Sequence, residues 1–153
     1  MAKINQKLET IDKALASLQE SIELLHEYTL KIAGKHTEHD ARIALGLRDS
    51  TIQRFEYCTD LFWKVLKIYL EDVEKITLTA NSPAGTLRAA VETRIITEEQ
   101  GQQCIEMVKS RNETSHIYHD ETAQNIAAKI PGYYKLIKTI VDSLNDRLLQ
   151  TKS

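Results

Sequence analysis

Glycine and proline are scarce in this sequence, five and two among 153 residues. A many-stranded β fold depends on those residues for its turns, so their scarcity points away from strands and toward helices. Cysteine is equally sparse. Cys58 and Cys104 each stand alone inside a helical pattern, which argues against a disulfide scaffold or a paired-cysteine metal site and for reduced, buried thiols. No apolar run approaches the ~18 residues of a membrane span. The N-terminus, Met1 to Lys7, leads directly into an amphipathic pattern with no hydrophobic signal core. A soluble, cytoplasmic protein is expected. An excess of one charge is also lacking: 20 Lys and Arg face 22 Asp and Glu, for a net charge of −2. Duplex binding over a whole face calls for a basic surplus, so any contact with nucleic acid should be local. A phosphate-cradling glycine loop, an HExxH pair, and a glycine-serine loop followed by paired aspartates are all absent. Catalysis with Mg·ATP on this chain alone is therefore not expected, and neither a cofactor nor a metal is implied.

What is present is ordinary in bulk and patterned in detail. With 42% apolar and 27% charged residues, the length suits one domain over 1–153, large enough to bury a core without staples. Ile4, Leu8, Ile11, Leu15, Leu18, Ile22, Leu25 and Ile32 recur in steps of four and three, with Thr29 filling the missing position. That stripe predicts a helix of about 29 residues and ~43 Å, ending at Gly34. It suits either a bundle helix or a seam for another chain. Gly34 to Asp40 reads as a polar loop whose His36 and His39 lack further ligands, and Ala41 to Leu47 as a helical turn interrupted by Gly46. A second long helix is expected from about Asp49 or Ser50, either able to cap it, to Val73. Glu56 and Asp60 fall one turn apart on it. They form either a solvated acidic face or a cleft wall that orients a basic group such as Arg111.

Ser82-Pro83 is a helix start, serine capping and proline at the first helical position. Thr97 to Gln100 is a capping box that opens a helix ending near Ser110. Asp120 is expected to cap the last region, which Pro131-Gly132 breaks or bends before the stripe Leu136, Ile137, Ile140, Val141, Leu144 and Leu148. The fold class that follows is all-α: an antiparallel four-helix up-and-down bundle with additional short helices.

Chemistry concentrates in Arg111-Asn112-Glu113-Thr114-Ser115-His116-Ile117-Tyr118. A guanidinium, an imidazole and a phenol lie within eight residues, with Asn112, Thr114 and Ser115 able to hold them in place, and all three can engage a phosphate. Spacing alone is weak support, because Arg-x4-His arises readily in a helical protein. The plain alternatives are His116 bonding a neighbouring helix end, Arg111 paired with a carboxylate such as Glu56, and Tyr118 at the bundle edge. A metal site from His116, His119 and Asp120 is loosely spaced and lacks a fourth ligand.

Arg111-Asn112-x-x-Ser115-His116-x-Tyr118 resembles the signature of HEPN domains, in the branch called nucleotidyltransferase substrate-binding proteins. Its mark is Arg-x4-His-x-Tyr. The resemblance extends to Arg54-Phe55-Glu56-Tyr57, Trp63-Lys64, Tyr69-Leu70, Ser82-Pro83 and Ile130-Pro131-Gly132-Tyr133-Tyr134, in order, from about residue 50 onward. It implies a bundle that forms a homodimer with the Arg–His segments facing a shared cleft. It also implies a partner, a small MNT-type nucleotidyltransferase normally encoded beside it. In related toxin–antitoxin pairs the HEPN chain is a ribonuclease toxin, neutralised by adenylate transferred from ATP to the motif tyrosine. On that pattern Arg111 and His116 are the catalytic candidates, Asn112, Ser115 and Glu56 support them, and Tyr118 is the modified residue. His116 would move the ribose 2′-OH or leaving-group proton, and Arg111 would hold the RNA phosphate without a metal. The other implied role is a non-enzymatic substrate-binding subunit.

Overall fold

A computed structural model describes residues 2–116 and 119–152. Five α-helices account for most of them: α1 (Ala2–Ala33), α2 (Glu38–Ile68), α3 (Pro83–Glu92), α4 (Glu98–Glu113) and α5 (Asp120–Lys152). A π-helical turn, Tyr69–Val73, extends α2, and a 3-10 turn, Thr114–His116, extends α4. No strand occurs among the described residues.

Residue pairs fix the helix directions. The Cys58 thiol donates to the Ala14 carbonyl (3.3 Å), Arg54 Nη1 to the Ser17 carbonyl (2.7 Å) and Thr51 Oγ1 to the Ser21 carbonyl (3.4 Å). Numbers rise along α1 as they fall along α2, so the two helices are antiparallel. Arg48 meets Asp120, and Phe55 stacks on Tyr133, so α2 and α5 run the same way. Arg147 of α5 donates to the Arg94 carbonyl just before α4, and Tyr133 meets Ser110 near the end of α4, so α4 runs against α5. Helices α1, α2, α4 and α5 thus make an antiparallel up-and-down bundle, with α3 as the short addition. The core joins Ile4, Leu8, Ile11, Leu15 and Leu18 of α1 to Phe55, Phe62 and Leu66 of α2 and Ile137, Val141 and Leu144 of α5. Cys58 and Cys104 are buried and unpaired, and burial pushes both thiols up to about 12.

Local signals explain most boundaries. Ser82 Oγ accepts from Gly85 N–H (3.1 Å) with Pro83 at the first helical position, and Thr97 and Gln100 close the reciprocal capping box. The end of α3 takes Arg94 into the left-handed region (φ 62°), while Ile95 N–H returns to the Ala90 carbonyl (2.9 Å). This turn aims the chain into α4.

Several expectations need correction. The second long helix begins at Glu38, not near Asp49: Thr37 is its cap, and a capping box with Asp40 satisfies both of their backbone N–H groups. The helix passes through Gly46, whose cost of roughly 1 kcal/mol is offset by the buried stripe on either side, Ala44, Thr51, Ile52 and Phe55. Likewise α5 continues through Pro131-Gly132. Proline removes a single intrahelical donor, and buried Ile126, Ile130 and Ile137 hold both sides of it. At the other end α4 runs on past Ser110 to Glu113, and Asp120 is the first residue of α5 rather than its cap.

The heptad stripe of α1 is only half used within the chain. Its first five members, from Ile4 to Leu18, are at most 3% exposed. Beyond Ser21 the helices part, and Ile22, Leu25, Thr29 and Ile32 line a largely apolar cleft of about 700 Å³ between α1, α2 and α5. Leu45, Arg48, Ala127 and Pro131 form its other walls.

Candidate functional site

The capping box at Thr97 sets where α4 starts, and the helix length then delivers Arg111 to its last turn. Opposite it, α2 presents Glu56 and Asp60, four residues apart and so on one face. The guanidinium meets both. Its Nε donates to Asp60 Oδ1 and its Nη2 to Asp60 Oδ2, each at 2.9 Å, a bidentate fork. Nη1 lies 3.5 Å from Glu56 Oε2 and donates to Thr114 Oγ1 at 3.2 Å. Thr114, buried in the 3-10 turn, also donates to the Arg111 carbonyl at 2.6 Å. It therefore closes the helix end and steadies the guanidinium at once. Hydrogen bonding to Asp60 raises the Arg111 pKa despite burial, with the negative charges of Asp60 and Glu56 adding to it.

The residue before each partner is also tied down. Phe55, fully buried, stacks on Tyr133 with ring centres 5.5 Å apart. The Tyr133 hydroxyl lies 3.0 Å from Ser110 Oγ. One α5 side chain thus joins α2 and α4 next to Glu56 and Arg111. Arg54-Phe55-Glu56-Tyr57 accordingly divides four ways: Arg54 to an α1 carbonyl, Phe55 to the core, Glu56 to Arg111 and Tyr57 to solvent.

His116 stands in the 3-10 turn and is exposed, its side chain making no hydrogen bond or ion pair to another described residue. The side chains of Asn112 and Ser115, expected as supports, are exposed and likewise make none. Tyr118 lies outside the described residues. The closer carboxylate to Arg111 is Asp60 rather than the expected Glu56, and of the three polar neighbours expected to hold the motif in place, Thr114 is the one that bonds the guanidinium. The one-turn spacing of Glu56 and Asp60 was the available signal for the first. Its place inside the motif was the signal for Thr114.

After the motif, Asp120 pairs with Arg48 of α2, 72 residues away, which itself also reaches Asp49 at 3.2 Å. The segment from Arg111 to Asp120 is thus fastened to α2 at both ends. With Asp120 engaged there, His116, His119 and Asp120 do not form a shared ligand set, and no group of three or more His, Cys, Asp or Glu suited to a metal occurs among the described residues. No helix among them is long and apolar enough to cross a membrane.

Residues 6–146 match the family model described as nucleotidyltransferase substrate-binding-protein-like. A Thermus thermophilus protein of known structure is 30% identical with a TM-score of 0.68, covering 88% of this chain and 98% of its own. A Haemophilus influenzae structure, described as revealing the fold of a substrate-binding domain of a nucleotidyltransferase, is similar with a TM-score of 0.73 at 20% identity, over 90% of this chain and 98% of its own. The tri-AMPylated Shewanella oneidensis HEPN toxin, solved in complex with its MNT antitoxin, is similar with a TM-score of 0.68 at 14% identity, over 94% and 96% of the two chains. The latter two likenesses concern the fold. No curated protein matches the sequence.

Proposed function

Since the chain belongs to the nucleotidyltransferase substrate-binding-protein-like family, we propose that it is the HEPN-type partner of a small nucleotidyltransferase in a two-component, toxin–antitoxin system. It acts in the cytoplasm as a homodimer of single-domain subunits over 1–153, and its target is RNA, cleaved without a metal. The observation that carries this reading is the contrast within one motif. Arg111 is fixed on the α2 carboxylates, while the His116 side chain, one turn on, faces solvent with no bond to another described residue.

In the reaction, the imidazole of one copy takes the proton of the ribose 2′-OH, and that oxygen attacks the adjacent phosphorus. The bond to the 5′-oxygen breaks, the leaving oxygen receives a proton from the imidazole of the second copy, and a 2′,3′-cyclic phosphate results. Arg111 stabilises the charge that develops on the phosphoryl oxygens. Asn112 and Ser115 are free to contact RNA, which suits polar side chains exposed beside the motif. The partner ends the activity by transferring adenylate from ATP to Tyr118, releasing pyrophosphate and adding a negative phosphate beside the catalytic pair.

One observation favours a second reading, a binding subunit without catalysis: Arg111 is already neutralised by its own chain. The experiment is intact-mass analysis after incubation with the neighbouring nucleotidyltransferase and ATP. Gain of an AMP residue on Tyr118, absent in Tyr118→Phe, is the expected result. Unchanged mass, or modification retained in Tyr118→Phe, removes the proposed switch.

A further inference from the structure

A guanidinium has five N–H donors, and a phosphate is gripped by two of them in parallel. In Arg111 the Nε hydrogen and one Nη2 hydrogen go to Asp60, and Nη1 is shared between Thr114 Oγ1 and the Glu56 carboxylate. One Nη2 hydrogen is left. The charges agree with this geometry: one cation faces two carboxylates, so the cluster is net negative where an anion is to arrive. As it stands, Arg111 cannot take a phosphate in a fork without giving up a partner.

The partners differ in how easily they leave. The Asp60 side chain is 44% exposed and Glu56 32%, whereas Arg111 is 22% exposed and Thr114 is buried. Asp60 is the more exposed carboxylate, and the water it regains on turning outward offsets part of the two 2.9 Å bonds it gives up. Thr114, fixed by its own bond to the Arg111 carbonyl, keeps Nη1 in place meanwhile. The side of the guanidinium that Asp60 vacates, Nε and Nη2, is a paired edge that fits a phosphate fork.

We infer that Asp60 is a latch on Arg111: a positioning residue that competes with the phosphate of RNA, so that anion binding proceeds by exchange of one carboxylate for one phosphate. The inference rests on the reading of Arg111 as the phosphate-holding group. It assigns Asp60 a gating role distinct from orienting the arginine, because an orienting residue helps binding and a latch opposes it. A latch closed nine-tenths of the time weakens apparent affinity about tenfold.

The test measures equilibrium binding of a fluorescent single-stranded 2′-deoxyoligonucleotide, which lacks the attacking hydroxyl and is not consumed. The full chain is compared with Asp60→Asn, Asp60→Ser, Arg111→Ala, Asp60→Asn/Arg111→Ala, and Glu9→Gln, which removes an exposed carboxylate elsewhere. The latch predicts about tenfold tighter binding in Asp60→Asn or Asp60→Ser, no comparable gain in Glu9→Gln, and loss of the gain in the double variant. Having two Asp60 variants guards against one of them failing to fold. Unchanged or weaker binding in every folded Asp60 variant, with Arg111→Ala still lowering affinity, overturns the latch and leaves the phosphate reading standing. A gain that survives in the double variant overturns both, since Arg111 is then not where the anion sits. A gain of equal size in Glu9→Gln reduces the effect to net charge and likewise overturns the latch.

Discussion

At the scale of single residues, the side chains around Arg111 separate what composition suggests from what position decides. A motif arginine beside two acids one turn apart is visible in the sequence, and the acids do meet it. Their ranking is not visible, because Glu56 and Asp60 differ by one methylene, and only the approach of α4 to α2 makes Asp60 the bidentate partner. Thr114 is legible as a polar neighbour within the motif, but which group it holds is decided by the 3-10 turn that brings its hydroxyl back onto the arginine three residues earlier. Gly101 is a residue whose meaning depends wholly on packing. A Cβ placed there falls 2.5 Å from Val91 Cγ2, where α4 crosses α3. Valine is β-branched and has little freedom to move aside. Gly101→Ala is therefore expected to destabilise the protein by about 1–3 kcal/mol, read as a lower urea midpoint at unchanged slope. An unchanged or higher midpoint would mean that the helices do not approach this closely.

At the scale of elements, boundaries that carry their own chemistry were legible and those decided by burial were not. Ser82-Pro83 and the Thr97–Gln100 box act locally, through side chains that satisfy free backbone donors, and each starts its helix as expected. Thr37–Asp40 uses the same device but sits in a polar, histidine-rich stretch with Gly46 soon after, so local propensity favoured a loop. Pro131-Gly132 misled in the same way. In both places the buried faces on either side outweigh a helix breaker that acts at a single position. This makes Gly46 a test of the corrected α2. A Cβ at Gly46 meets nothing within 4 Å, so Gly46→Ala is expected to stabilise by up to about 1 kcal/mol, opposite in sign to the same change at Gly101. Thermal melting reads the difference. A drop in melting temperature would return the chain at Gly46 to a non-helical turn.

At the scale of the whole molecule, periodicity was enough for the all-α bundle, because the stripes of α1, α2 and α5 fill one core. Which helix lies beside which was carried by long-range pairs that no local pattern encodes. Arg48 meets Asp120 across 72 residues and Arg111 meets Asp60 across 51. These two ties fasten both ends of the motif segment to α2. The α1 stripe shows the same limit: its heptads suited either a bundle helix or a seam for another chain, and its second half lines a cleft between α1, α2 and α5. The proposed chemistry needs no metal and depends on the His116 imidazole of each copy. Cleavage of RNA by the purified protein in a chelator, compared with His116→Ala, tests that dependence. Cleavage that leaves 2′,3′-cyclic phosphate ends and falls by about 10²-fold or more in His116→Ala is the predicted result. RNA left intact by the native protein in every oligomeric state, or cut equally well by His116→Ala, would contradict it.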